Sequence, residues 1–316
     1  MSQNSNAIIS LCSHLCVGDG IVPLEPKEWS ELAKNLMDRG FAPENLFDFS
    51  KADIIEKLGL TDEYSERIVR LIERMPSLSF ELGEYENMGI TVVTRADLSY
   101  PAKLKKVLGN NCPPMFYCAG DMSLLNKQCI GYVGSRTISD DDVGFTRKMV
   151  EKTVKNGYGV VSGGAKGIDM ISEEAGLSLG APVIEYLSDS MMKKMGRSVV
   201  VKAVREGRML LLSVAKPDAP FNVGVAMMRN RYIYAQSSGT VVVRSEYNKG
   251  GTWAGAVENL KYGWCKELCR DKKIYQGNKA LIEKGAIPID ETWDGDIMSI
   301  ADSADFEDSV QISMFD

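Results

Sequence analysis

The sequence contains little histidine, no long apolar run and neither of two common nucleotide-binding motifs. His14 is the only histidine among 316 residues, which argues against hydrolases that pair a serine or cysteine nucleophile with histidine. No apolar run approaches the roughly 20 residues of a membrane span, and the chain does not open on a basic region followed by an apolar one. Neither G-x-G-x-x-G nor G-x-x-x-x-G-K-[ST] occurs, so NAD binding of the usual kind and P-loop nucleotide hydrolysis are not expected.

The cysteines do not have the spacing of a metal site. Two groups, Cys12-x-His14-x-Cys16 and Cys265-x-x-x-Cys269, depart from the usual zinc spacing, so buried or incidental thiols are the better interpretation. We therefore expect neither a metal nor a cofactor. Seven dispersed cysteines without an export signal favour a reducing, cytoplasmic location.

The charge is unevenly distributed along the chain. The net charge is −6, but residues 290–316 hold nine acidic side chains and no Lys or Arg. Residues 1–289 therefore carry 34 acidic against 37 basic side chains, a body of charge +3. This small excess does not establish a nucleic-acid partner, but it removes the objection that the net charge raises.

The segment 129–180 predicts the centre of the fold. A strand, Ile130 to Val133, runs into a glycine turn and a helix that extends to about Asn156. A second strand at 159–161 runs into another glycine turn, before a helix that begins near Ile168. Two such units in tandem form a right-handed β-α-β, and hence a parallel sheet whose turns lie at the carboxyl ends of the strands.

Further alternation predicts an α/β class with a Rossmann-like, doubly wound parallel sheet. Strands are expected at 183–187, 209–213 and 240–243, and helices at 190–206, 222–236 and 250–262. We assign residues 83–289 to this domain. Residues 1–82 are predicted to form a small helical domain of the SAM or helix-hairpin-helix type, with three or four short helices between 27 and 75. That module could serve for packing, for interaction or for nucleic-acid binding. Residues 290–316 are assigned to an acidic tail.

The glycine turns predict a phosphate-binding crevice. Glycines allow the backbone to approach a ligand, and free N–H groups at a helix N-terminus favour an anion. Glycine turns can also merely relieve crowding, but two on neighbouring strands, each with a cation, favour binding. The predicted DNA- or phosphate-binding residues are Gly134, Ser135, Arg136, Ser162, Gly163, Lys166, Gly167, Asp169, Arg229, Asn230, Arg231, Lys249, Gly250, Gly251 and Thr252.

Seven motifs, over roughly residues 28–290, occur in the order of one known family. They are Tyr100-Pro101-x-x-Leu104, the proline stretch leading to Phe116-Tyr117 and Gly120, Val133-Gly134-Ser135-Arg136 with Ser139, Ser162-Gly163-x-Ala165-x-Gly167-Ile168-Asp169, Arg229-Asn230-Arg231-x-Ile233, Gly250-Gly251-Thr252 ahead of Ala256, and Leu281-Ile282-x-x-Gly285-Ala286. In these motifs the chain resembles the bacterial DprA, or Smf, DNA-processing family.

The resemblance implies a cytoplasmic homodimer that binds single-stranded DNA in a basic pocket of the Rossmann-like domain. It also implies transfer of the strand to a RecA-like recombinase during natural transformation. The chain departs from the family pattern in four places. Glu173 stands where the family usually has histidine, and the loop 188–192 lacks the family's glycine and Tyr-Pro. Phe221 lies eight residues before Arg229, farther than is usual in the family, and no winged-helix domain follows Ala286. The chain is thus similar to a divergent member.

A second hypothesis is a sensor of a nucleotide-derived ligand, for example in defence or regulation. A phosphoribohydrolase is a weaker alternative, because Gly250-Gly251-Thr252 with Glu258 only partly matches the glycine–glutamate motif of that class. We predict that the protein is not an enzyme. Asp169 is the one candidate carboxylate in the crevice, and it is more simply a first-turn residue that interacts with the helix dipole.

The tail combines an acidic segment with an apolar end. Residues 290–310 are acidic and aperiodic, so we expect them to be disordered. Residues 311–316 resemble the short peptide by which bacterial replication and repair proteins dock on the DNA sliding clamp. In this hypothesis Gln311 would hydrogen-bond in a small pocket, and Met314 and Phe315 would fill an apolar one. The alternative is a chance terminal apolar cluster or one that folds back on the body.

Overall fold

The N-terminal part of the chain is helical, as its apolar spacing predicts. The computed structural model describes residues 1–18 and 20–301. This part contains α1 (Gln3–Cys12), α2 (Pro26–Asp38), a 3₁₀ helix (Pro43–Phe47), α3 (Lys51–Leu58), α4 (Asp62–Ile72) and α5 (Met75–Asn87). The side chains of Ser50 and Thr61 cap α3 and α4, and Gly59 ends α3 with a φ of 66°.

These helices share a buried core with the sheet that follows them. Arg74, just after α4, is buried and donates hydrogen bonds to the carbonyls of Ser13 (3.1 Å) and Leu15 (2.8 Å) beyond the end of α1. The hydroxyl of Ser13 is in turn hydrogen-bonded to that of Tyr117 in the sheet, at 3.0 Å. The boundary at residue 82 falls inside α5, and the division into two domains stays a prediction.

The described strands form one mixed sheet. They are β1 (Thr91–Thr94), β2 (Met115–Gly120), β3 (Cys129–Val133), β4 (Gly159–Ser162), β5 (Val183–Leu187), β6 (Met209–Ser213), β7 (Gly239–Val242), β8 (Lys266–Arg270) and β9 (Ile287–Ile289). Their order is β1-β2-β6-β5-β4-β3-β7-β8-β9. From β6 to β9 the neighbours are parallel, whereas β2 pairs antiparallel with β1 and with β6. This architecture confirms the predicted α/β class and its parallel sheet.

Helices cover both faces of the sheet. They are α6 (Ala102–Leu108), α7 (Asp140–Lys155), α8 (Ile168–Ser178), α9 (Met191–Met195), α10 (Ser198–Arg205), α11 (Val223–Gln236), α12 (Gly250–Tyr262), α13 (Gln276–Glu283) and α14 (Ile297–Ala301), with 3₁₀ helices at Gly109–Asn111 and Met122–Asn126. Alternate residues of β5 enter opposite cores, Val183 and Leu187 on one face, Ile184 and Tyr186 on the other. The single helix predicted over 190–206 is wrong, because Gly196 and Arg197 separate α9 from α10.

The strand order reverses direction between β3 and β7. The chain adds β4, β5 and β6 on one side of β3, then returns to add β7, β8 and β9 on the other side. The connections that leave the carboxyl ends of β3 and β7 therefore run to opposite faces and leave a crevice between them. In doubly wound sheets this switch point is where ligands bind.

The beginning of the predicted tail belongs to the folded body. Disorder is the wrong expectation for residues 290–301, because Ile297 and Ile300 are buried and Lys152 donates to the carbonyls of Glu291 (2.7 Å) and Trp293 (2.5 Å). The sparse apolar residues of this segment are sufficient for packing because α7 and the sheet provide a surface for them. Residues 302–316, and with them Gln311, Met314 and Phe315, lie outside the described residues.

None of the described helices is both long enough and apolar enough to cross a bilayer.

Candidate nucleic-acid interface

A cavity of about 450 Å³ lies at the switch point of the sheet. Its walls come from the turns after β3 and β4, the N-terminal part of α11, and the segment between β7 and α12. It is lined by Val133, Gly134, Ser135, Arg136, Thr137, Ala165, Lys166, Asp169, Phe221, Val223, Ala226, Met227, Arg229, Asn230, Tyr234, Arg244, Glu246, Lys249, Gly250, Gly251 and Thr252. Most of the residues that the sequence assigns to phosphate binding are thus brought together.

The turn after β3 presents Arg136 to this cavity. The Ser135 N–H donates to the carbonyl of Arg244 at 3.0 Å, which ties the turn to the chain beyond β7. The Arg136 guanidinium lies over the Phe221 ring, 4.8 Å from its centre. Phe221 itself is 45% exposed. Within the described residues no carboxylate forms an ion pair with Arg136, so its positive charge remains available to an anion.

The turn after β4 packs directly on the turn after β3. Gly167 has a φ of 84°, and a Cβ there would collide with the Ser135 carbonyl oxygen and lie 2.8 Å from the Arg136 Cα. Only glycine permits this approach of the two backbones. Lys166, next to it, is exposed at the cavity and has no ion-pair partner in the described part of the chain.

A buried ion pair supports the same turn. The Arg229 Nη2 lies 3.2 Å from the Asp169 Oδ2, and both side chains are buried. Burial raises the pKa of Asp169, while the Arg229 charge opposes that shift. The guanidinium also occupies the space that a Cβ at Gly163 would take. The positive charge of Arg229 is therefore matched by Asp169, and its main contact is with the protein.

Arg231 does not reach the cavity, contrary to the sequence prediction. It pairs with Glu258 of α12 at 2.7 Å. Residues two apart on a helix point in nearly opposite directions, so Arg229 and Arg231 of α11 cannot form one cluster. Glu258, held in this ion pair, is not part of the cavity lining. The glycine–glutamate motif of a phosphoribohydrolase would need its carboxylate inside the cavity.

Three other predicted residues act behind the cavity wall. The Ser162 hydroxyl is buried and donates to the Tyr132 carbonyl at 2.9 Å. Gly163 and Gly167 provide space for Arg229 and for the turn after β3. By contrast, Asn230 lines the cavity, and its amide donates to the Gly251 carbonyl at 3.0 Å, which joins α11 to the start of α12.

Sequence analysis did not assign five polar or aromatic residues to the cavity. They are Thr137, Phe221, Tyr234, Arg244 and Glu246. Arg244 follows the predicted strand 240–243 directly, and its position at a strand carboxyl end is the signal that could have identified it. Among residues 1–18 and 20–301, no three His, Cys, Asp or Glu side chains are grouped as metal ligands would be.

Comparison with known proteins gives a consistent family. The family model described as DNA recombination-mediator protein A matches residues 91–299, more than half of the 316 residues. DNA processing protein DprA of Bacillus subtilis is 28% identical over 190 residues, which cover 60% of this chain and 63% of that protein. Protein Smf of Synechocystis is 26% identical over 247 residues, 76% of this chain and 59% of that protein. The matches thus span about three fifths of the length of these two relatives.

Two solved structures share the fold. DNA processing protein A from Streptococcus pneumoniae superposes with a TM-score of 0.64 at 20% identity, covering 85% of this chain and 95% of that one. DNA processing protein A from Helicobacter pylori, whose structure addresses its mode of binding single-stranded DNA, gives a TM-score of 0.52 at 23% identity. That match covers 68% of this chain and 94% of the Helicobacter chain.

Proposed function

The chain belongs to the DNA recombination-mediator protein A family, and we propose that it binds single-stranded DNA in the cavity at the switch point. The observation that carries the proposal is the contact of Arg136 with Phe221, 4.8 Å from guanidinium to ring centre. It places an exposed aromatic surface beside a cation that has no ion-pair partner among the described residues, at one rim of the cavity.

This combination suits a strand with accessible bases. Proteins that bind single strands without sequence preference use a basic groove for the phosphates and aromatic rings on which bases stack. Arg136 and Lys166 supply the charge, and Phe221 supplies the ring. The bases of a duplex are stacked on one another and offer no free face to Phe221, so the duplex should bind less tightly.

The proposed biological role extends beyond DNA binding itself. We infer that the protein acts in DNA processing and recombination as a homodimer that passes single-stranded DNA to a RecA-like recombinase, with natural transformation as one setting. The family to which the chain belongs supports this role. In this proposal the protein binds and transfers DNA without catalysing a reaction on it. A recombinase-loading assay on coated single strands tests the transfer.

The first prediction concerns Arg136. We expect Arg136→Gln to weaken binding of all single-stranded sequences about tenfold, because one charge-assisted phosphate contact is lost. The slope of log affinity against log salt should fall by about 0.7 for each phosphate contact removed. A fluorescence titration with labelled oligonucleotides over a range of salt concentrations measures both quantities.

Two comparisons make the titration decisive. Arg205→Gln removes an exposed cation just before β6, at the edge of the parallel sheet opposite the cavity, and should change neither quantity. The effect of Arg231→Gln should also be small, because that guanidinium is paired with Glu258. Unchanged binding by a folded Arg136→Gln protein would refute the assignment of the site.

The sensor hypothesis remains the second candidate because of the cavity's size. About 450 Å³ lies within the usual range of roughly 300–1,000 Å³ for small-ligand sites. Titration with mononucleotides beside oligonucleotides separates the two functions. Tight binding of a mononucleotide, with no gain in affinity for longer strands, would favour the sensor.

A further inference from the structure

Arg244 occupies a wall of the cavity that the assignment above leaves without a role. It follows β7 at the carboxyl end of the strand, and its side chain lines the cavity. The side chain is 30% exposed. Its carbonyl accepts the Ser135 N–H, so the backbone position of Arg244 is fixed against the turn that carries Arg136.

The guanidinium of Arg244 is held on one side only. Its Nη1 donates to the Asp142 Oδ2 at 3.2 Å, and the Tyr275 ring lies 5.1 Å from its central carbon. In the described part of the chain no hydrogen-bond acceptor engages its Nη2 or Nε. A planar fork held at one edge can present the other edge to a phosphate without losing much conformational freedom.

Asp142 is itself fixed by four other donors. Its Oδ2 accepts from the Ser139 N–H and hydroxyl at 2.9 Å each, in the capping box of α7. Its Oδ1 accepts from the Tyr275 hydroxyl at 2.6 Å and from the Arg270 Nη1 at 3.2 Å. The carboxylate is completely buried and cannot turn towards solvent. It is therefore a rigid anchor for Arg244.

We propose that Arg244 is a further phosphate-binding residue of the cavity, beside Arg136 and Lys166, and that Asp142 is the residue that positions it. This inference rests on the proposed binding of single-stranded DNA. Arg136 and Arg244 then place one cation just beyond the carboxyl end of each of the two strands, β3 and β7, that flank the switch point. A phosphate contact from Arg244 would hold the nucleic-acid backbone at one more point of the cavity than Arg136 and Lys166 provide.

The first test removes the charge of Arg244. Arg244→Gln should weaken single-stranded DNA about tenfold and lower the salt slope by about 0.7. Arg244→Lys should restore the slope, because the charge returns, but only part of the affinity, because the fork is lost. Arg205→Gln, at the opposite edge of the sheet, is the control. Each Arg244 variant should remain folded, because Asp142 keeps Arg270, Tyr275 and Ser139 as partners. Thermal unfolding of each variant checks this.

The second test uses the sign of an effect at Asp142. If this carboxylate acted on DNA only by repulsion, Asp142→Asn would strengthen binding. If Asp142 positions Arg244, the Asp142→Asn substitution should instead weaken DNA binding. This loss of affinity should disappear in a protein that already carries Arg244→Gln. Titrations at a temperature where every variant is folded supply this double-mutant cycle.

The outcomes distinguish the inference from the function on which it rests. If the unchanged protein binds single-stranded DNA and Arg136→Gln weakens it, but Arg244→Gln leaves affinity and slope unchanged, the inference is wrong and the function stands. Tighter binding by Asp142→Asn would refute the positioning role. Failure of the unchanged protein to bind single-stranded DNA would overturn the function and this inference together.

Discussion

Single side chains contribute to the cavity according to the partner that each already has. Arg229 is buried against Asp169, and Arg231 pairs with Glu258 outside the cavity lining, so neither presents a free edge of its guanidinium to a phosphate in the cavity. Arg136 and Lys166 have no such partner among the described residues. A count of basic residues in the sequence cannot make this distinction, because the carboxylates that pair with the two arginines lie 60 and 27 positions away in the chain.

The second prediction concerns a buried lysine beneath the turn after β4. The Lys194 ammonium lies 2.5 Å from Glu173 and 2.8 Å from Glu185, and all three side chains are buried. Lys194→Met leaves both carboxylates without this cation and should lower the free energy of unfolding by about 3–5 kcal/mol.

Urea denaturation measures this loss of stability. Lys202→Met, which removes an exposed lysine of α10, is the matched control and should change stability by less than about 1 kcal/mol. Similar losses in both variants would contradict the prediction. Since Glu185 lies against Gly164, we also expect weaker DNA binding in Lys194→Met alone.

The third prediction concerns Glu267 and pH. Burial raises the pKa of Glu267 to about 8, although the Asn259 amide, which donates to it at 3.0 Å, opposes the shift. Between its ordinary pKa of about 4.3 and this value the folded protein keeps a proton that the unfolded chain has released. Stability should therefore fall as the pH rises from about 4.3 to about 8.

Glu267→Gln should reduce that loss of stability by at least about 1 kcal/mol, measured by urea denaturation at pH 5 and pH 8. Part of the slope should remain, because burial also raises the pKa of Glu185. Parallel pH profiles for the two proteins would refute the prediction.

Secondary-structure elements meet at the cavity through their ends. The turns after β3 and β4 and the segment that leads to α12 supply most of its wall, while the helices and strands behind them form the two cores. Short turns between rigid elements can hold cations in fixed positions at little conformational cost. The contact between the first two turns is where a small change should disturb the whole site.

The fourth prediction tests that contact with two glycines. Gly167→Ala places a Cβ against the Ser135 carbonyl at a φ of 84°, so it should destabilise the protein by more than about 1 kcal/mol and weaken DNA binding. Gly144→Ala, in α7, meets no heavy atom within 4 Å. It should stabilise the protein by about 0.5–1 kcal/mol, because alanine favours the helix. Thermal unfolding and DNA titration of both variants measure the effects, and equal changes at the two positions would contradict the packing argument.

The whole molecule separates its charges along the chain. Residues 302–316, outside the described residues, hold five of the nine acidic side chains that follow residue 289, and the cavity lies in the body of near-neutral net charge. Electrostatic attraction of DNA depends on the local potential rather than on the net charge of −6. A negative net charge is thus compatible with a phosphate-binding cavity.

The fifth prediction concerns the end of the chain. We propose that Gln311, Met314 and Phe315 dock on the bacterial sliding clamp, on the basis of their sequence pattern. A peptide of residues 311–316 should bind purified clamp from the same host in a fluorescence polarisation assay. Phe315→Ala should abolish clamp binding of the full chain without changing its affinity for DNA. If neither the peptide nor the full chain binds the clamp, the hypothesis is wrong.

Local patterns in the sequence are sufficient to predict the class of fold and the position of the candidate site. Apolar runs of four or five residues alternate with helical spacing from residue 129 onwards, and such alternation leaves a parallel sheet as the regular solution. Glycines after two of these strands mark the carboxyl edge of the sheet. Both signals are local, because each depends on neighbours within one element, and so both could be predicted.

Two features depend on long-range contacts: which charged side chains face the cavity, and whether residues 290–301 pack on the folded body. Arg231 forms an ion pair with Glu258 of another helix, and Arg244 donates to Asp142, which lies 102 positions earlier in the chain. The acidic segment 290–301 is ordered by contacts with α7. Each outcome depends on a partner that is distant in the chain. Ion pairs and packing contacts depend on which surfaces the fold brings together. The sequence immediately around a residue therefore does not identify a partner that is distant in the chain.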